Sequence, residues 1–449
     1  MAVSSFASVP DTAHYWLTNA RIPLALLTGD DVPSDPIPWL AAAPQSEDLV
    51  AANIEIRGGT IAAVIPVGAS VPQDVVTCDL QQGLVWPCFA DIHTHLDKAQ
   101  TWHRTANPSG TFEQALSQID HDRIKYWRSE DLYRRMEFSL KCAYAHGTRA
   151  LRTHLDALDD QAEISFSVFR TLRQEWAGRL ELQAACLLPI DAFETDQVAA
   201  LADLVAESSG ILGAVAYPNP NLDQQLDRVF QLAQTRSLPL DFHVDESLSS
   251  EHMALRHVAQ AKLRNNYSGT VVCGHCCSLS VQQQAVAEET ISWVKKASIG
   301  VISLPMCNLF LQDRQIGRMP RRRGVTLLPE LKAQGIPVAF SSDNTRDVFY
   351  AYGDLDGLEV FTQAVRVGQL DRPIGDWPQA VTTTPAALMG LKTSGFLAVG
   401  QAADLVCFKA RTFNELLSRP QCDRIVLRQG KAIDTTLPSY AELDDLLDR

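Results

Sequence analysis

Two histidines, His93 and His95, occupy alternate positions in the stretch 91–97, which directly follows the apolar residues 84–90. Alternate residues of a β-strand point to the same side, so both imidazoles should project together from the end of a buried strand. Two imidazoles where a strand gives way to a loop are half of the ligand set of a first-row metal ion. An isolated pair is also common at ordinary strand ends, so the interpretation depends on the rest of the chain.

Three further candidate ligands follow: His243, His275 and Asp343 each end a predicted strand and come after an apolar run. The carboxyl ends of the strands of a β/α barrel meet on one rim, so these side chains should converge there with the first pair. Together they favour a metal-dependent hydrolase. His154 also ends a predicted strand, and for it a structural role is favoured over contact with substrate.

Eight apolar segments alternate with amphipathic ones, which predicts a parallel sheet with helices between its strands. Eight such units favour a (β/α)8 TIM-like barrel, an α/β fold, over an open sheet. The predicted strands are 84–93, 148–155, 181–189, 211–217, 238–244, 270–276, 300–307 and 336–342. Two of the predicted helices are 131–146, ending before Gly147, and 281–297.

The two ends of the chain show shorter β-like runs, at 14–22, 54–65, 403–408 and 424–433, with a hairpin signal at 429–431. We expect the N- and C-terminal segments to form one small β-sandwich domain. The predicted division is therefore 1–83 and 392–449 for the two parts of that domain and 84–391 for the barrel. The acidic, proline-rich stretch 30–44 is predicted to be a surface loop.

The chain has 449 residues, 46% of them hydrophobic and 20% charged, which is typical of a globular protein. Its net charge of −14 disfavours nucleic acid and anionic membrane as partners. Without a secretory signal or an apolar run long enough to span a membrane, a soluble cytoplasmic protein is expected. The scattered cysteines predict buried thiols, and the redox-like spacing of Cys273 and Cys276 is interpreted as a strand end that carries His275.

The order of these residues, together with several longer stretches, resembles the amidohydrolase superfamily in its single-metal subgroup. More closely, the chain resembles the bacterial, barrel-type cytosine deaminases and their close relatives. The resemblance covers nearly the whole sequence. Its stretches are residues 93–97, 100–101, 109–111, 152–156, 243–246, 308–312, 321–324, 342–344, 352–353 and 400–405.

The resemblance implies that His93, His95, His243 and Asp343 hold one divalent ion, Fe2+ or Zn2+. No lysine ends the fourth predicted strand, where binuclear relatives carry a bridging carboxylated lysine, so one ion per chain is expected. His275 and Asp343 would act on a metal-bound hydroxide. Glu246 would pass protons to the substrate ring and to departing ammonia.

The implied activity is hydrolytic deamination of a cytosine-like, amino-substituted heterocycle, which would be the small-molecule partner. Substrate contacts are expected from Gln100, Ile190, Asp191 and Asn344. However, Ile190 stands where the resembled deaminases keep a ring-reading glutamine, so the alternatives are another aminated or alkylaminated ring (isoguanine- or s-triazine-like) and, least favoured, a non-catalytic barrel. The role of Lys98 is left open between contact with the substrate and pairing with a nearby carboxylate of the loop. The resemblance is also compatible with a homo-oligomer.

Overall fold

The computed structural model describes residues 6–28 and 47–447, which fall into two compact units. Unit 1 comprises Met1–Ala90, Ala143–Arg149 and Asp356–Leu437, and unit 2 comprises Asp91–Cys142, Ala150–Leu355 and Pro438–Arg449. The domain boundaries given above remain a prediction. The surface loop expected at 30–44 lies outside the described residues.

The secondary structure alternates between strands and helices through the middle of the chain. The strands are β1 (His14–Pro23), β2 (Leu49–Arg57), β3 (Thr60–Pro66), β4 (Thr77–Asp79), β5 (Val85–Pro87), β6 (Phe89–Thr94), β7 (Thr148–Asp156), β8 (Glu181–Leu187), β9 (Leu212–Ala216), β10 (Leu240–Val244), β11 (Val271–His275), β12 (Gly300–Ser303), β13 (Val338–Phe340), β14 (Leu405–Cys407), β15 (Ile425–Arg428) and β16 (Lys431–Ala432). The helices are α1 (Phe112–Tyr126), α2 (Ser129–His146), α3 (Gln161–Glu175), α4 (Gln197–Glu207), α5 (Leu222–Arg236), α6 (Ala254–Arg264), α7 (Gln284–Lys296), α8 (Pro305–Leu311), α9 (Leu328–Ala333), α10 (Gly357–Gly368), α11 (Thr383–Leu388), α12 (Phe413–Ser418) and α13 (Asp444–Leu447).

The strands from β6 to β13 form two sheets, in the orders β6-β7-β8 and β9-β10-β11-β12-β13. The ladders from β9 to β13 and between β7 and β8 are parallel. Isolated parallel bridges join Ala185 to Ile211 and Thr94 to Asp343, between the edges of the two sheets. The predicted α/β fold with parallel strands is therefore confirmed, and each of the eight predicted strand segments contains at least one strand.

Two of those predicted strands were too long, and both errors have a local cause. Segment 84–93 contains two strands, because β5 pairs antiparallel with β14 whereas β6 joins β7. Segment 300–307 ends as a strand at Ser303, and α8 begins at Pro305. Proline is favoured in the first turn of a helix, where its missing N–H costs no hydrogen bond. A short apolar run does not by itself distinguish a strand from a buried helix.

Unit 1 contains two four-stranded sheets, in the orders β3-β2-β1-β4 and β16-β15-β14-β5. The second sheet pairs β5, which lies in the segment predicted for the barrel, with strands near the C-terminus. The small β-sandwich of N- and C-terminal segments remains a prediction. The predicted hairpin is confirmed: Arg428 pairs with Lys431, and Gln429 and Gly430 have φ of 48° and 72°. Two consecutive positive φ values are those of a type I′ turn, which matches the twist of a hairpin.

Helix α2 shows why the amphipathic segments form where they were predicted. Leu132, Met136, Leu140 and Ala143 recur at helical spacing, and all four are fully buried. The helix ends before Gly147, which has a φ of 99° that favours glycine. Across residues 6–28 and 47–447, every helix is too short or too polar to cross a membrane.

Candidate metal centre and active site

Four side chains meet at the carboxyl ends of β6, β10 and β13. The Nε2 atoms of His93 and His243 lie 3.1 Å apart, and those of His243 and His95 lie 3.2 Å apart. The Oδ1 atom of Asp343 is 3.2 Å from Nε2 of His95 and 3.7 Å from Nε2 of His93. All four residues are buried. The structure therefore gathers into one cluster the four residues that were expected to bind metal.

The donor set of this cluster fits a divalent ion. Four ligand atoms placed tetrahedrally at the 2.0–2.1 Å typical of zinc would lie about 3.4 Å from one another, close to the four separations given above. Both carboxylate oxygens of Asp343 are buried without a hydrogen-bond partner among the described residues, and burial raises the pKa of this group to about 8. Burial also lowers the pKa of His93, His95 and His243, which keeps the rings neutral as metal ligands must be.

Hydrogen bonds between neighbouring strand ends hold His93 and Asp343 in register. The Asp343 N–H donates to the His93 carbonyl at 2.9 Å, and the His93 N–H donates to Ser341 Oγ at 2.8 Å. The buried carboxylate of Asp91 accepts from Ser341 Oγ at 2.6 Å and from Ser342 Oγ at 2.5 Å. Asp343 has a φ of 63°, an uncommon conformation for a residue other than glycine that often marks functional positions.

Glu246 and His275 lie next to each other beside Asp343. Nδ1 of His275 is 3.4 Å from Oε1 of Glu246, and the Asn308 amide lies 3.0 Å from that ring nitrogen and 3.4 Å from the same carboxylate oxygen. Burial and the nearby Asp343 carboxylate raise the pKa of Glu246 well above its ordinary value. A carboxylic acid that stays protonated at neutral pH can donate a proton to a bound ligand.

His154 belongs to a buried network behind the cluster. Its ring centroid is 4.1 Å from that of His93, and its Nε2 lies 3.2 Å from Oδ1 of Asp241. Asp241 also accepts from Arg152 Nη1 at 2.9 Å, and Arg152 donates to Gln183 Oε1. Although burial opposes ionisation of Asp241, its two partners outweigh this effect and lower its pKa. The favoured structural role of His154 stays a prediction, and its ring nitrogens also lie close enough to the cluster to add a ligand.

Lys98 lies behind His95, at the edge of the cluster. Its Nζ atom is 3.5 Å from Nδ1 of His95, pairs closely with Asp156, and lies 3.9 Å from Asp97. The Arg135 guanidinium donates to the carbonyls of Asp97 and Ala99, on either side of this lysine. These contacts favour the paired loop lysine of the two alternatives that the sequence left open.

The four expected substrate contacts differ in their surroundings. Gln100 is buried and its Nε2 atom has no hydrogen-bond partner among the described residues. Asn344 is buried and donates to Asp347 at 2.7 Å. Ile190 is fully buried, whereas Asp191 is exposed and hydrogen-bonds Tyr217, whose pKa is raised to about 12 by burial and by this contact.

Sequence reasoning missed three residues that contact the cluster or its neighbours. Asp241, Arg152 and Asn308 lie within motifs that carry the family resemblance or directly beside them, but no role was assigned to them. The available signal was a charged or polar residue within an apolar strand or next to a predicted site residue, because a buried charge requires a partner.

The redox interpretation of Cys273 and Cys276 is disfavoured, since burial raises the pKa of both thiols well above the ordinary value.

Parallel strands whose carboxyl ends carry a histidine–aspartate cluster are typical of metal-dependent hydrolases, and the comparisons with known proteins agree that the chain is a hydrolase. The sequence profile of the amidohydrolase family matches residues 142–431. The chain is 48% identical to a pterin deaminase of Rhizobium rhizogenes over 99% of both chains. It is 24% identical to an N-isopropylammelide isopropyl amidohydrolase of Pseudomonas sp. strain ADP, over 73% of this chain and 80% of the relative.

A solved structure of 5-methylcytosine deaminase from Klebsiella pneumoniae, liganded with 5-fluorocytosine, has the same fold. The TM-score is 0.77 at 22% identity, over 93% of this chain and 97% of that one. The chain therefore belongs to the amidohydrolase family. It is a hydrolase that acts on carbon–nitrogen bonds in cyclic amidines.

Proposed function

We propose that this protein is a metal-dependent deaminase that hydrolyses the exocyclic amino group of a pterin. The observation that carries the proposal is the 48% identity to a pterin deaminase over 99% of both chains. A pterin carries its amino group on a carbon between two ring nitrogens, which makes it a cyclic amidine. Addition of water to that carbon and cleavage of the exocyclic carbon–nitrogen bond would release ammonia and leave an oxo group.

We infer that His93, His95, His243 and Asp343 hold one divalent ion, Fe2+ or Zn2+. This inference is supported by the interatomic distances within the cluster and by the unpartnered carboxylate oxygens of Asp343. When bound, such an ion lowers the pKa of a coordinated water and so supplies a nucleophile at neutral pH.

The proton transfers are assigned to Asp343 and Glu246, and the stabilisation of the adding oxygen is assigned to His275. Asp343 would take a proton from the attacking water. Glu246, whose pKa is raised by burial and by the Asp343 carboxylate, would donate a proton to the ring nitrogen as the water adds. Glu246 would then take the hydroxyl proton of the adduct and pass it to the departing amine as the oxo group forms, and the proton held by Asp343 would restore the acid form of Glu246. His275 lies 3.4 Å from Glu246 and stabilises the oxygen that adds to the ring.

Two features support a ring other than cytosine itself. Ile190 has no polar side-chain atom with which to read a pyrimidine edge, and the hydrogen bond described for Asp191 goes to Tyr217. Cytosine, isoguanine and s-triazines are therefore the comparison substrates for the proposal. A barrel without catalysis is disfavoured by the complete set of ligands together with Glu246.

We further infer that the two parallel sheets close into a (β/α)8 barrel, supported by the bridges at Ala185–Ile211 and Thr94–Asp343. The two four-stranded sheets of unit 1 would then be the small β-sandwich. A homo-oligomer remains compatible with this architecture.

The test is a screen for ammonia release by the purified protein with pterin, cytosine, isoguanine and amino-s-triazines. We expect the highest kcat/KM with pterin, and no release from the metal-deficient variant His243→Ala. A higher kcat/KM with cytosine or a triazine would overturn the choice of substrate. If none of these rings released ammonia, deamination itself would be contradicted.

A further inference from the structure

Gln100 has an unusual hydrogen-bonding state for a buried amide. Its side chain is only 2% exposed, and its Oε1 accepts from Nε of Arg346 at 3.1 Å. Its Nε2 is buried and has no partner among the residues that the structure describes. Buried amide N–H groups are almost always hydrogen-bonded, so an unpartnered one next to an active site is a candidate donor to a ligand.

Arg346 determines which end of the Gln100 amide is left for that ligand. A guanidinium has five N–H donors and no acceptor, so only the amide oxygen of Gln100 can face it. The opposite rotamer would place two sets of donors against each other. With the oxygen engaged, the NH2 group of Gln100 points away from Arg346.

The backbone places Gln100 beside the metal cluster. Its N–H donates to the carbonyl of Thr345 at 3.1 Å, and the Trp102 N–H donates to the carbonyl of Arg346 at 2.8 Å. Thr345 follows Asp343 by two residues, and Asp343 contacts His95. The loop after β6, which carries Gln100, and the loop after β13, which carries Arg346, therefore run side by side next to the cluster.

The C-terminal residues hold Arg346 from the other side. Its guanidinium carbon lies 4.0 Å from the ring centroid of Tyr440, and Nη2 lies 3.0 Å from Nε2 of His103. The segment that carries Tyr440 is anchored in unit 2 by a cluster of buried apolar side chains and by an ion pair. The apolar cluster consists of Phe138, Cys142, Leu443 and Leu446. In the ion pair, Nη1 of Arg134 lies 2.6 Å from Oδ2 of Asp445.

We propose that Arg346, held by Tyr440 of the C-terminal segment, is a positioning residue that fixes Gln100 as a hydrogen-bond donor to an acceptor on the substrate ring. The inference rests on the proposed function and deepens it, because it specifies that the bound heterocycle presents an acceptor such as the 4-oxo group of a pterin. A 4-amino analogue presents a donor at that position and is rejected. The selectivity of the site thus depends on a residue that does not itself touch the substrate.

The experiment compares Arg346→Met with wild type in three measurements: kcat and KM for pterin, metal content, and the ratio of inhibition constants for a 4-oxo and a 4-amino pteridine. Loss of one oriented hydrogen bond is expected to raise KM about five- to tenfold and to lower the 4-oxo preference by the same factor. kcat and metal content should change less than about twofold. Tyr440→Leu should shift KM in the same direction by a smaller factor.

Arg179→Met is the matched control, because this exposed arginine also stacks on an aromatic ring, 3.9 Å from the Trp176 centroid, away from both loops. Pterin turnover by wild type with an unchanged KM and unchanged 4-oxo preference in Arg346→Met would overturn this inference alone. A loss in Arg346→Met that is confined to kcat or to metal content would also overturn the inference, because a merely structural role of Arg346 predicts that result. If wild type neither turned over nor bound pterin, the proposed function and this inference would both fail.

Discussion

Replacing Glu246 by Gln isolates proton transfer from every other property of the site. Burial and the Asp343 carboxylate raise the pKa of Glu246 well above its ordinary value, which favours the uncharged acid. Glutamine has nearly the same shape and the same charge as that acid. The contacts to His275 and Asn308 can therefore persist, and the metal cluster is not altered.

The expected loss in turnover follows from the role of the residue. General acid–base catalysis by a positioned side chain contributes about 10²–10⁴-fold, which corresponds to about 3–5 kcal/mol of activation free energy. We expect kcat for pterin to fall by that factor, while the metal content and Tm stay at wild-type values. The measurements are ammonia release, elemental analysis and thermal unfolding.

The control for this experiment is Glu251→Gln, the same chemical change at an exposed glutamate five positions further along the chain. This variant should keep wild-type kcat. The reasoning would be refuted if Glu246→Gln kept more than about a tenth of wild-type kcat. If the variant lost metal together with turnover, Glu246 would instead be required for metal binding by the cluster.

Three further predictions concern the ligands and the buried ion pairs. Asp343→Ala should lose tightly bound metal as well as turnover, and elemental analysis that found a full complement would contradict its role as a ligand. Arg152→Met should lower the free energy of unfolding by about 3–5 kcal/mol in urea titrations, because it leaves the buried Asp241 carboxylate without its 2.9 Å partner; an unchanged midpoint would contradict this. Burial alone would raise the pKa of Asp356, but the Arg424 guanidinium outweighs this effect and lowers the pKa to about 2. The ion pair therefore contributes about 2 kcal/mol to the free energy of unfolding above pH 4, and this contribution is lost as the pH falls towards 2. Asp356→Asn should therefore be less stable than wild type at neutral pH and equal to it near pH 2, and a constant difference across this range would refute the argument.

The convergence of distant residues was predictable because it depends only on topology. His93, His243 and Asp343 were each recognised at the end of an apolar run, and parallel strands bring such ends together whatever the details of packing. The alternation along β6 also placed His93 and His95 on one side. The fold class and the order of the strands followed from the same periodicity.

The contacts that depend on register were not predictable from the sequence. The pairing of Asp241 with Arg152 requires knowing which residues of β7 and β10 face the same interior level, and a shift by one residue would separate them. The link from Tyr440 to Arg346 depends on where the C-terminal segment packs, which periodicity does not indicate. Helix α8 was missed because its residues are as apolar as the strand before it.

The central claim is that one divalent ion, held by His93, His95, His243 and Asp343, supports deamination of a pterin. It is tested most directly by adding Zn2+ or Fe2+ to the metal-depleted protein while ammonia release from pterin is followed. The account predicts that activity rises in proportion to the added ion and saturates at one ion per chain. Saturation at two ions per chain, or no ammonia from pterin at any metal content, would contradict it.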